Sequence, residues 1–201
     1  MDNENGELIV NLARKAIKQY LQKSVKISIE QVVRGELREK RGVFVTIKSY
    51  PEGSLRGCIG MPLPIKPLID AVIDSSISAA VRDPRFPTLN IEEMENVTIE
   101  VTVLTQPSEI RGKSNTDIIN QIEIGKHGLI IEKGSYSGLL LPQVPVEQKW
   151  GKEEYLEGIS HKAGLLGNAW AEDDSRIFMF EGEIFSEKSP GGDIVRKEIA
   201  C

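Results

Sequence analysis

Apolar positions recur at helical spacing over residues 4–22, where Leu8, Leu12, Ile17 and Leu21 are separated by Arg14, Lys15 and Lys18. That pattern predicts an amphipathic helix. Val43-Phe44-Val45-Thr46-Ile47 is rich in β-branched residues and predicts a strand. The turn residues Tyr50-Pro51-Glu52-Gly53 follow, which makes 54–60 its hairpin partner. Pro62, Pro64 and Pro67 break that strand and lead into a helix over about residues 66–82. Leu68, Val72, Ser75, Ser76, Ala79 and Ala80 give this helix a face of mostly small residues, suited to close packing across the hairpin.

The cleanest alternation spans 97–104, with Val97, Ile99, Val101 and Val103 on one side and Thr98, Glu100 and Thr102 on the other. A second hairpin is expected from 128–131 and 137–141 around Lys133-Gly134-Ser135. A helix over 152–163 and a strand over 176–185 follow, and the segment after Pro190-Gly191-Gly192 reads as a loose tail to which Val195 and Ile199 could add anchors. Strands outnumber helices without regular alternation, so the expected class is α+β, a mainly antiparallel sheet flanked by helices.

Composition adds limits. The 201 residues suffice for one good-sized core or two small lobes. A net charge of −5 argues against a dedicated nucleic-acid binder, although Arg34, Arg38, Lys40 and Arg41 crowd together. There are two cysteines, Cys58 and Cys201, which is no disulfide framework and suits a reducing cytoplasm. The acidic start of the chain lacks a secretion pattern, and no apolar run is long enough for a bilayer. The surface of the 4–22 helix suits core or partner equally, so monomer and homodimer both stay open.

Candidate chemistry centres on Leu55-Arg56-Gly57-Cys58-Ile59-Gly60. In an extended chain Ser54, Arg56 and Cys58 share one face, leaving Leu55 and Ile59 for the buried side. An arginine beside a thiol favours the thiolate, and Gly57 and Gly60 permit close approach of a ligand or another backbone segment. The alternative is a small half-buried cysteine in a Gly-kinked strand. His161 follows Glu157 by one helical turn, so Glu157 either orients it as a base or forms an ordinary surface pair with it. His127, before Gly128, reads as a turn cap. Glu100 is either a buried acid or base with a shifted pKa or a solvated sheet residue. Arg82 and Arg85 either clamp a carboxylate or phosphate or pair with Asp83 and nearby acids. No zinc spacing, His-Glu-x-x-His, GxGxxG or GxxxxGK[ST] run is present, so no metal is expected and no cofactor is indicated. A site from Cys58, His161 and a carboxylate is the one conceivable metal arrangement.

Four ordered blocks carry a resemblance: the hexapeptide 55–60, Arg82-Asp83-Pro84-Arg85-Phe86-Pro87, Leu140-Leu141-Pro142-Gln143-Val144, and Lys162-Ala163-Gly164-Leu165 followed by Trp170. Together they resemble the AMME chromosomal region protein family over about residues 8–187. The resemblance implies one domain over 1–190, α+β with two unequal lobes, the smaller at about 110–170, with 191–201 left as the loose tail. It also implies that the hexapeptide faces a cleft, and it implies a fold more sharply than a reaction. Some bacterial relatives accompany radical-SAM and dioxygenase-like proteins, which hints at a macromolecule or metabolite modification pathway. Two functional readings follow. One is a cleft enzyme with Cys58, Glu100 and His161 as catalytic groups and Arg56, Gly57, Gly60, Arg82, Arg85 and Gln143 holding a small anionic substrate. The other is a non-catalytic module that docks a protein partner or an anionic ligand through Arg56, Arg82 and Arg85.

Overall fold

A computed structural model describes residues 1–28, 35–112 and 114–197. In chain order the elements are α1 (Asn3–Lys23), β1 (Val43–Ser49), β2 (Leu55–Met61), α2 (Leu68–Val81), β3 (Val97–Leu104) and β4 (Ser108–Glu109). There follow α3 (Asn115–Gln121), β5 (His127–Lys133), β6 (Tyr136–Leu140), α4 (Gln143–Gln148), α5 (Lys152–Lys162), β7 (Arg176–Glu187) and β8 (Ile194–Lys197). Among the described residues, eight antiparallel strands with five α-helices make the class α+β. The chain divides into two units: Met1–Leu104 with the segment from Glu183 to Lys197, and Thr105–Gly182.

In the first unit β1 lies between β2 and β3, with Val45 opposite both Ile59 and Val101. Strict alternation then puts Val43, Val45, Ile47, Ile99, Val101 and Val103 on one face, all fully buried. Ile9, Val10, Ala13 and Ile17 of α1, with Leu68, Ala71, Val72 and Ala79 of α2, complete that core. Each large aliphatic side chain so buried contributes about 1.5–3 kcal/mol relative to exposure. The small face of α2 is what lets its backbone come close to β2: a β-carbon on Gly57 would lie 2.3 Å from the Ala79 carbonyl oxygen. Helix α1 begins on an Asp2 side chain that accepts the Asn5 N–H and ends at Ser24 in the left-handed conformation.

One charged pair is buried in this core. Arg14 Nε donates to Glu187 Oε1 at 2.5 Å and Nη2 to Oε2 at 2.6 Å. The remaining Arg14 donors reach the Met94 and Val97 carbonyls, and Glu187 also accepts the Ile99 N–H at 2.9 Å. The pair therefore ties α1, β3 and the end of β7 together.

The tail differs from the sequence reading. Ile194–Lys197 pair with β7, Val195 opposite Ser186, while Ile199 lies outside the described residues. Pro190-Gly191-Gly192 is a reverse turn, not the onset of a free end: Gly191 has φ +65° and Lys188 N–H donates to the Asp193 carbonyl.

In the second unit β5 lies between β6 and β7, and β4 also pairs β7. Helix α5 contributes Tyr155, Leu156 and Ile159 to a core with Ile110, Ile122, Leu129, Ile131 and Ile177. The fully buried Tyr155 hydroxyl lies 3.2 Å from the carbonyl oxygens of His127 and Leu140, and its burial pushes its pKa up. His127 Nδ1 accepts the Glu123 N–H, the turn-capping role expected of it.

Candidate functional site

The backbone of β2 is irregular within the Leu55–Gly60 hexapeptide. Gly57 pairs Ile47 but Leu55 pairs Lys48, so Arg56 is the extra residue of a β-bulge. The bulge breaks the alternation expected for 54–60. Leu55, placed by sequence on the buried side, is 41% exposed.

Arg56 correspondingly leaves Cys58. Its Nε and Nη2 donate to the two oxygens of Glu93 at 2.9 and 3.2 Å, and Nη1 donates to the Pro87 carbonyl. Burial opposes ionisation of Glu93, yet the Arg56 hydrogen bonds hold its pKa below the usual value. Arg56 is thus a fastener between β2 and the segment 87–93, its charge matched by a carboxylate.

The guanidinium that faces Cys58 is Arg85. Asp83, 5% exposed, accepts the Cys58 N–H on Oδ2 at 2.8 Å. Arg85 Nη2 donates to the Cys58 carbonyl at 3.0 Å and to Asp83 Oδ2 at 2.7 Å, while Nε donates to Asp83 Oδ1. The Arg85 hydrogen bond, opposed by burial and helped by the Cys58 and Arg85 backbone N–H groups, holds Asp83 far below the ordinary carboxylate range. Arg85 is raised in turn, chiefly by its bond with Asp83 and against burial, with the Cys58 sulfur acting in the same sense. The loop 82–87 and the hexapeptide are therefore one clamp, closed on both backbone polar groups of Cys58.

The thiol itself is half-buried, and Sγ lies 3.2 Å from Thr46 Oγ1. Thr46 sits opposite both Cys58 and Glu100, so the three form one cross-strand row on the face away from the core. Two strand spacings put Glu100 roughly 10 Å from Cys58, too far for direct proton exchange. Burial disfavours the Glu100 carboxylate, but Lys48 at 2.9 and 3.0 Å and Lys197 at 3.1 Å hold its pKa down. That environment keeps Glu100 ionised and unlike a general acid.

The two glycines admit this chain's own atoms instead of a ligand. Ala79 fills the side above Gly57, and a β-carbon on Gly60 would lie 2.2 Å from the Phe44 ring. The Arg82 N–H caps α2 on the Ser78 carbonyl, while its exposed side chain has no hydrogen bond or ion pair among the described residues. His161 and Gln143 belong to the second unit, both exposed, His161 on α5 and Gln143 at the start of α4. No side-chain hydrogen bond or ion pair joins Glu157 to His161 among the described residues, so neither the orienting contact nor the surface pair is made; the imidazole lies against Gly167 instead. Of the basic cluster, Arg41 pairs with Glu39 and Glu183, while Arg34 lies outside the described residues, as does Cys201.

Sequence reasoning missed Thr46, Lys48, Glu93 and Lys197. Thr46 was within reach, since antiparallel pairing of 43–47 with 54–60 already implies a neighbour for Cys58. Among the described residues no three His, Cys, Asp or Glu side chains gather to hold a metal, and no helix is long and apolar enough to cross a membrane.

Comparison with known proteins adds lineage. A protein of Methanopyrus kandleri is 48% identical over 198 residues, covering 98% of this chain and 95% of its own length. A Pyrococcus horikoshii protein is 48% identical over 200 residues, covering 98% and 97%. The crystal structure of an uncharacterized Pyrococcus horikoshii protein, 48% identical, superposes with a TM-score of 0.83 and 98% coverage of both chains. A family model described as AMMECR1 matches residues 10–185, and with relatives this similar over nearly their whole length the chain belongs to the AMMECR1 family.

Proposed function

We propose that the protein is a binding module that recognises an anionic group, on a small molecule or a protein partner, through the 82–87 loop. The observation that carries this reading is the different state of Arg56, Arg82 and Arg85. Arg56 and Arg85 are each matched by a carboxylate, whereas the Arg82 side chain is exposed and has no partner among the described residues. Asp83 and Arg85 pin the loop to the β2 backbone, so Arg82 is displayed from a pre-organised segment and little order has to be gained on binding.

Cysteine catalysis is less well served. A nucleophilic thiol wants a base within hydrogen-bond reach. Among the described residues no hydrogen bond joins the Cys58 sulfur to a base: Glu100 is bound by two lysines, and Sγ meets the Thr46 hydroxyl. The Cys58 N–H, a natural oxyanion donor, is already given to Asp83.

The test is an NMR titration of the whole chain with inorganic phosphate and, separately, with a glutamate-rich peptide. Shifts are expected at the 82–87 amides, lost in Arg82→Ala and kept in Cys58→Ser. An unchanged response in Arg82→Ala, or its loss in Cys58→Ser, would overturn the proposal.

A further inference from the structure

Strand β2 is the outer strand of the row β2-β1-β3, so among the described residues one side of its backbone has no strand beside it. Antiparallel pairing turns alternate N–H and C=O groups away from the partner, and at Cys58 both point outward. Those two groups are met by side chains: the Asp83 carboxylate takes the N–H at 2.8 Å and the Arg85 guanidinium gives to the C=O at 3.0 Å. An acceptor and a donor supplied at one residue reproduce what an adjoining strand would offer there. Proteins protect exposed edges with charge, bulges or covering segments, because an open edge templates pairing with another chain. This edge carries all three: the Arg56 bulge, the Asp83–Arg85 ion pair and the loop that bears it.

We propose that the Asp83–Arg85 pair acts as a strand surrogate that keeps β2 from pairing with β2 of a second copy of this chain. The second copy fits by symmetry. Antiparallel pairing about a two-fold axis at Cys58 sets each Cys58 N–H against the other Cys58 C=O, using the two groups that the clamp now occupies. Gly60 meets the bulged Arg56 in that register, so the approaching backbone encounters one side chain where two would stand in an ordinary strand pair. The clamp then has two consequences from one set of contacts: it fixes the loop and it closes the edge.

The inference stands apart from the anion-binding reading, since its readout is self-association and leaves Arg82 untouched. Asp83→Ser/Arg85→Ser, made in a Cys201→Ser background, is compared with that background by light scattering and by crosslinking with a short bis-maleimide. Relative to that background, the expected result is a higher mass with concentration, and crosslinked dimer joined through Cys58. A folded double variant with the mass and crosslinking of its background overturns the proposal. Should the double replacement cost the fold, Arg85→Gln alone opens the carbonyl half of the edge and must still raise Cys58 crosslinking several-fold. Failure of that folded variant to do so overturns it equally.

Discussion

Replacing Arg14 by leucine probes the charged pair at the heart of the first unit. The change removes two charge-assisted hydrogen bonds to Glu187 and the donors to the Met94 and Val97 carbonyls. It leaves a carboxylate whose side chain is 1% exposed and which, among the described residues, keeps only the Ile99 N–H. Breaking a buried pair from one side costs roughly 3–5 kcal/mol. The Arg14 side chain is itself only 10% exposed, so a loss of about 4 kcal/mol is expected. With a urea slope of about 2 kcal/mol per M, that loss lowers the midpoint by about 2 M. The double variant Arg14→Leu/Glu187→Met leaves no stranded charge and is expected to be more stable than Arg14→Leu alone, because a buried pair replaced whole by apolar groups is close to neutral. Urea titration followed by far-ultraviolet circular dichroism reads both. A midpoint shift under roughly 0.5 M in the single variant would refute the reasoning, as would a double variant that loses the sum of its two singles.

Two further outcomes follow from the clamp and its support. Gly57→Ala forces a β-carbon to 2.3 Å from the Ala79 carbonyl, a backbone atom that yields only if α2 moves; the expected cost is about 1–3 kcal/mol, seen as a melting temperature lowered by several degrees, and a parent-like melt would show that α2 shifts freely. Asp83 has its folded pKa depressed from the ordinary 3.8, so its contribution is whole above that value and fades as pH falls through the depressed one. The stability gap between the parent and Asp83→Asn should therefore stay constant from neutrality to about pH 5 and narrow only in stronger acid. A gap that closes near about pH 6 would mean that another group governs the clamp.

Sequence was informative wherever one periodicity ran uninterrupted. The alternation of 97–104 and the small-residue face of 66–82 became β3 and α2 with their core sides as read, whereas α1 forms over the expected stretch but buries Ile9, Val10, Ala13, Arg14 and Ile17 and leaves Leu8 43% exposed. The readings that failed were those in which a local irregularity redirects a side chain. A bulge adds one residue without any mark in the hydrophobic pattern, so Arg56 could not be told from a neighbour of Cys58. The Pro-Gly-Gly turn looked like a chain end because β8 is only four residues long. Helix α3 was passed over although Ser114 and Asp117 form a reciprocal cap, a signal that spacing alone offers. Lys48 and Lys197 lie 149 residues apart by number, and only strand pairing brings both to Glu100.

The clamp changes what a cysteine substitution can report. Asp83 and Arg85 hold the N–H and C=O of residue 58, groups that any non-proline residue retains. Serine at this position keeps those bonds and can still meet the Thr46 hydroxyl, so Cys58→Ser isolates the chemistry of sulfur from the geometry of the strand. Arg56 offers no such separation. Its guanidinium donors are spent on Glu93 and the Pro87 carbonyl, and removing it strands a half-buried carboxylate and loosens the segment that leads into β3. A loss of function in Arg56→Ala would therefore speak for the fastening of that segment, while Arg82→Ala breaks no side-chain bond among the described residues and so tests the proposed recognition without loosening the loop.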